Sequence, residues 1–220
     1  MILLEDVSVS FRKGRARRDV LVNLCGSFER NGGIVGILGQ REAGKTTLIN
    51  LLAGNLTPQA GKLTCHGSVS WVLSSHRPLL PTMTVRANIR FIAMLYSASV
   101  HGLMRDVADL ADLHDVMDLR LNTLSRDIQS RLVYCLGLCL RFDYYLADEA
   151  IVIGDNAFRE KMTGYLAATA SERTVILVSR SPAAIKKHCE RAYVLHDGQL
   201  LSFDRTTQAI RAFKALDDAK

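Results

Sequence analysis

The chain has 220 residues, 48% hydrophobic and 23% charged, with only 4 prolines and 15 glycines. That balance excludes a disordered, fibrous or collagen-like protein and allows one large domain with a sizeable core. The net charge is +6, part of it gathered in FRKGRARRD, Phe11 to Asp19; without aromatics interleaved among the basic residues this excludes a single-strand nucleic-acid platform and reads as a solvated turn rather than a phosphate or anionic-lipid contact.

The opening MILLEDVSV lacks a basic region, an apolar stretch and a cleavage site, and no run approaches the roughly 20 apolar residues that span a bilayer. A soluble chain that meets a membrane only through a partner is expected. Val7, Val9 and Phe11, then Val20, Val22 and Leu24, alternate on either side of the basic turn and predict a hairpin. After the turn Asn31-Gly32-Gly33, Ile34 to Leu38 is an apolar strand; a glycine-bracketed loop leads into a helix from Lys45 to Ala53, ended by Gly54. Two short strands flank His66-Gly67. Thr84 caps a helix with the stripe Ile89, Ile92, Ala93 and Tyr96. Residues 98–121 are helical in character, with Leu103, Val107, Leu110, Leu113, Val116 and Leu119 at three- to four-residue spacing.

Ser125 caps a long apolar helix from Asp127 to about Leu140. Strand, helix and strand follow at Tyr144–Ala147, Phe158–Ala168 and Thr174–Val178, then a helix from Pro182 to Cys189. A hairpin, Tyr193–Leu195 with Gln199–Phe203, turns at Asp197-Gly198, and Thr206 or Thr207 caps a last helix. The five cysteines are odd in number, lie mostly in apolar runs and build neither a disulfide framework nor a metal set, which fits a reducing cytoplasm. The fold class is α/β: a parallel core with an antiparallel β subdomain at the start and an inserted helical subdomain near residues 84–140, within a single domain of residues 1–220.

GQREAGKT, Gly39 to Thr46, fits G-x-x-x-x-G-K-[ST] after a strand and before a helix, the context a P-loop requires. The N–H groups of Gly39, Gln40, Arg41, Glu42, Ala43 and Gly44 surround a polyphosphate at the helix N-terminus. Lys45 reaches the terminal phosphates, Thr46 ligates Mg²⁺, and Thr47 completes the set. Glu42 is out of place in an anion nest unless its side chain points outward. YYLADE, Tyr144 to Glu149, ends a strand in two carboxylates: Asp148 placed for Mg²⁺ and Glu149 to polarise an attacking water.

With these motifs the chain resembles, over nearly its whole length, the ATP-binding subunits of ABC transporters, P-loop NTPases whose core carries an antiparallel β subdomain and an inserted helical subdomain. SRL at Ser130–Leu132, FDYYLADE at Phe142–Glu149, IGDNAFREK at Ile153–Lys161 and Trp71 before Thr84 resemble most the capsular polysaccharide exporters. The resemblance implies ATP and Mg²⁺ as ligands and Phe11 stacking on adenine. Ser125, in the signature LSRDI, and Asp155, in the D-loop, would act at the nucleotide of a second ATP-binding subunit in a homodimer or heterodimer. It implies a membrane-spanning permease on the helical insertion, a peripheral place on the cytoplasmic face of the inner membrane, and no nucleic-acid partner.

Three features depart from that pattern. Arg126 and Asp127 are bulky where the signature wants small residues, and Asp127 is acidic. The loop between Trp71 and Thr84 has no glutamine. Arg180 stands where the family has a switch histidine; a guanidinium has five donors and no acceptor, so it can sense a γ-phosphate but not help place water. Beside Glu149 it would lower that base's pKa by about one to three units. The expectation is ATP binding with hydrolysis slowed by about 10² to 10⁴, unless Arg180 faces solvent or an acidic neighbour. The competing expectations are a nucleotide-binding regulatory or structural partner with little turnover, and a DNA-associated ATPase, which the chain's lack of a coiled-coil insertion disfavours.

Overall fold

The computed structural model describes residues 1–14, 16–73, 78–148 and 154–218, of Lys13 and Asp218 the backbone only. Two compact units emerge: Met1–Val72, Phe142–Ala150 and Ala167–Lys220 form the first, Leu73–Arg141 and Ile151–Leu166 the second.

In the first unit, strands β1 (Ile2–Lys13), β2 (Ala16–Phe28) and β4 (Ala60–Cys65) make an antiparallel sheet ordered β2-β1-β4. The predicted hairpin is there, but its alternation differs. Val7 pairs with Leu24 and Val9 with Leu21, so β2 carries an extra residue at this point and Asn23 sits at φ 45°. Such a bulge resets the two-residue period: Leu21 and Leu24 are buried while Val22 is exposed.

The second sheet has six strands in the order β5-β6-β7-β3-β8-β9: β3 (Gly33–Gly39), β5 (Val69–Val72), β6 (Tyr144–Asp148), β7 (Thr174–Ser179), β8 (Arg191–His196) and β9 (Gln199–Phe203). All pairings are parallel except β8 with β9. The two strands flanking His66-Gly67 thus belong to different sheets. Buried residues alternate between the sheet's faces. Ile37, Leu146, Ile176 and Val178 join a core that includes Leu48 and Leu52 of helix α1 (Lys45–Leu52). Leu38, Ala147, Leu177 and Val194 pack with Ile185 of α6 (Pro182–His188) and Phe213 of α7 (Thr206–Asp218). Covered on both faces, these strands read as continuous apolar runs. Thr206 is the first residue of α7 rather than its cap; its hydroxyl donates to the Cys189 and Glu190 carbonyls, tying the helix to the turn before β8.

In the second unit, α2 (Val85–Leu95) is capped by Thr84, whose hydroxyl accepts from Ala87 N–H at 3.1 Å. Buried Asn88, invisible to hydrophobic periodicity, bonds both N–H and C=O of Leu80 and so holds the preceding loop. Tyr96 is not in the stripe; it caps the helix C-terminus, partly exposed. Helix α3 (Val100–Ala111) stops at Asp112, at φ 55°, and 3₁₀ turns follow at His114–Val116 and Leu121–Thr123. Met117 rather than Leu119 is therefore buried. Helix α4 (Arg126–Cys139) lies in this unit, as does α5 (Asn156–Ala170) up to Leu166, its last residues belonging to the first unit.

Asp143 holds the start of β6, the strand that ends in Asp148. Its carboxylate accepts from the Ser68 N–H and hydroxyl and pairs with Arg30 at 2.8 Å. Burial alone would raise its pKa, but the Ser68 hydrogen bonds and the Arg30 and Arg173 charges prevail and hold it below the usual carboxylate value. A lowered folded pKa stabilises fully above the unfolded value of about 4 and loses that contribution as pH falls through the folded one. Asp143→Ala should cost about 2 kcal/mol at pH 7, with the gap to the parent protein shrinking in denaturant titrations at pH 3; a gap that stays constant would contradict this.

Candidate nucleotide site

Strand β3 delivers the chain to the carboxyl edge of the parallel sheet, where ligands bind in α/β folds, and residues 40–44 turn it into α1. Gly44 is the N-cap of α1 at φ 98° with no side-chain cap, so the first N–H groups of the helix are left for an anion. A Cβ on Gly44 would lie 3.1 Å from Val20 and Leu21 side-chain atoms, in a conformation L residues avoid. At Gly39 a Cβ would stand 3.1 Å from Lys45 Cγ; glycine lets the lysine stem lie against the strand end. Lys45 is only 8% exposed, and its ammonium donates to the Gln40 carbonyl. Gln40 is fixed from the other side by donating to Asp217 of α7 at 2.7 Å. Thr46 is exposed on the first turn and Thr47 half-buried.

Phe11, on β1, is 45% exposed and shares a cavity of about 400 Å³ with Arg18, Val20, Glu42, Gly44, Lys45, Thr46 and Thr47. The sequence-predicted aromatic and phosphate loop therefore face one space. Arg18, expected in a solvated turn, lines it too: Phe11 and Arg18 are direct cross-strand partners and so share a sheet face. The bulges in this hairpin hid that register. Glu42 does point outward, at φ 68°, to an ion pair with Arg18 at 2.9 Å; this hydrogen bond and charge lower its pKa. Arg41 and Ala43 adjoin it, and Ala43 N–H closes a turn onto the Gln40 carbonyl.

Asp148 ends β6, half-buried, paired with Val178 of β7, while Ser179 of β7 pairs with Leu38 of β3. The strand order thus puts Asp148 at the same sheet edge as the phosphate loop, one strand removed from β3. A hydroxyl and a carboxylate, Thr46 and Asp148, are hard oxygen donors of the kind Mg²⁺ takes. Glu149 lies outside the described residues, as does the part of the Trp71–Thr84 loop at 74–77. Arg180 follows β7 directly and is exposed.

In the second unit, Ser125 caps α4 by accepting from Ile128 N–H at 3.3 Å; its hydroxyl proton remains available to an acceptor. Asp155 caps α5, accepting from Phe158 N–H at 2.8 Å. Asp127 is folded back. One oxygen accepts from Gly154 N–H at 3.0 Å and the other from Arg131 at 2.8 Å. Arg131 lies 4.5 Å from the Phe158 ring centroid and 3.8 Å from Asp155. The acid that seemed to oppose phosphate binding is thus neutralised within its own unit. Asp127→Ala, which removes both bonds, should lower unfolding free energy by about 1–2 kcal/mol, and Asp127→Asn, which keeps the Gly154 acceptor, by less. Equal losses in urea titrations would contradict this assignment.

Fold and loop define a P-loop nucleotide-binding domain. The ABC transporter family model matches residues 27–152, and the chain belongs to that family. It is 33% identical over 214 residues to the ATP-binding protein BexA of Haemophilus influenzae, covering 97% of this chain and 98% of that one. It is 32% identical over 216 residues to the capsule polysaccharide export ATP-binding protein CtrD of Neisseria meningitidis serogroup B, covering 98% and 100%. The ATP-binding cassette MJ0796, solved as a dimer with ADP and Pi, superposes with a TM-score of 0.79 over 91% of this chain and 96% of that one. At 19% identity that likeness establishes the shared fold.

Proposed function

We propose that this chain is the ATP-binding subunit of an ABC transporter that exports capsular or related surface polysaccharide, hydrolysing ATP as two such subunits close on each other. The observation that carries the reading is the Gly39–Thr46 loop with buried Lys45, opening on the cavity shared with Phe11. Similarity to BexA and CtrD over nearly the full length supports the cargo class.

Phe11 stacks on the base, the N–H groups of residues 39–44 wrap the phosphates, and Lys45 exchanges the Gln40 carbonyl for a phosphate oxygen. Thr46 and Asp148 hold Mg²⁺, which neutralises phosphate charge when bound. Glu149 polarises the attacking water and Arg180 contacts the terminal phosphate. Ser125 and Asp155 serve the nucleotide of the second subunit, in a homodimer or heterodimer. No helix among the described residues is long and apolar enough to cross a membrane. Attachment at the cytoplasmic face of the inner membrane then runs through a permease, for which Phe91, Met94, Leu95 and Tyr96 offer exposed apolar surface around the end of α2.

Turnover is slowed when Arg180, exposed directly after β7, turns onto the terminal phosphate: it lacks the acceptor nitrogen of an imidazole, and its charge then weakens Glu149 as a base. In the assembled transporter, Arg180→His should raise steady-state phosphate release by about tenfold or more, while Glu149→Gln abolishes it; an unchanged rate for the histidine variant overturns this account of Arg180. Met94→Asp with Leu95→Asp should abolish co-purification of the permease and leave Mg²⁺-ATP binding intact. Retained co-purification would remove α2 from the docking surface.

A further inference from the structure

The Arg18–Glu42 pair lines the nucleotide cavity and also a second, more polar cavity of about 420 Å³ with Gln40, Arg41 and His196. We propose that Arg18 is a positioning residue for nucleotide: it acts through Glu42, drawing that carboxylate out of the phosphate loop and cancelling its charge, and thereby makes an acid at position 42 compatible with a polyphosphate ligand. The inference rests on the reading of residues 39–46 as the phosphate site.

Four observations support it. Glu42 belongs to the loop whose amides face the ligand, and a bare carboxylate there would repel a triphosphate through space. Its φ of 68° carries the side chain toward β2, where Arg18 meets it at 2.9 Å. The neighbouring acid, Asp19, is taken by Arg17 at 2.9 Å, so Arg18 is not drawn away. Arg18 is anchored opposite Phe11 in the β1–β2 ladder, which fixes where the guanidinium starts. Both side chains are about two-thirds exposed, 64% and 65%; an exposed ion pair adds little to folding stability, so its consequence falls on the charged ligand.

The test is Mg²⁺-ATP affinity by calorimetry at low and high salt for the parent chain, Arg18→Ala, Glu42→Ala and the double variant. Arg18→Ala should weaken binding about three- to tenfold at low salt and less at high salt, with the unfolding midpoint unchanged. In the Glu42→Ala background the same Arg18 substitution should weaken binding clearly less, because only the guanidinium's own through-space charge is then lost and no carboxylate is released toward the phosphates. Equal weakening in both backgrounds overturns the inference and makes Arg18 a direct phosphate ligand; no weakening in either also overturns it. Failure of the parent chain to bind is a different result, which rejects the underlying reading of the loop.

Discussion

The nucleotide-binding half of the molecule depends on one constraint: a lysine stem laid against the end of a central strand, with its ammonium turned back onto the loop it follows. Lys45 is buried and donates to the Gln40 carbonyl, so the loop between β3 and α1 closes on its own cation. That arrangement requires glycine at 39, where a Cβ would crowd Lys45, and at 44, where φ is 98°. Strands β7 and β8 pair with β3 on either side up to its end. A positive charge, a helix N-terminus without a side-chain cap and an open cavity then converge at one sheet edge. An anionic ligand of the polyphosphate kind would satisfy all three.

Two acids look hostile to that ligand in the sequence, and the fold treats both in the same way. Glu42 is met by Arg18 and Asp127 by Arg131, each arginine supplied by a regular element. Asp127 also accepts from Gly154 N–H, so the start of α4 and the segment leading into α5 are joined by a charge-assisted bond. A departure from a motif therefore need not leave an unpaired charge at that position. What decides the outcome is where the charge ends and what faces it.

Much of the architecture was legible because its signals are local. The phosphate loop, the Ser125 and Thr84 caps and the Asp197-Gly198 turn are each written within a few residues. What was not legible depends on register or on distant partners. Leu24 is buried as its alternation predicts, but the bulge near Asn23 puts Leu21 rather than Val20 and Val22 on the buried face beside it, and the same irregular hairpin concealed Arg18 opposite Phe11. Thr206 has the residue type of a helix cap, yet its hydroxyl is used by carbonyls sixteen and seventeen positions earlier. Asn88 is polar and fully buried, a combination that no apolar stripe reveals.

The most direct measurement is calorimetric titration of the purified, folded chain with ATP and Mg²⁺, beside Lys45→Ala. Saturable uptake of one nucleotide per chain, lost or weakened at least a hundredfold in the variant, is what a phosphate loop closed by Lys45 predicts. Equal uptake by both proteins, or none by the folded parent chain, would contradict it.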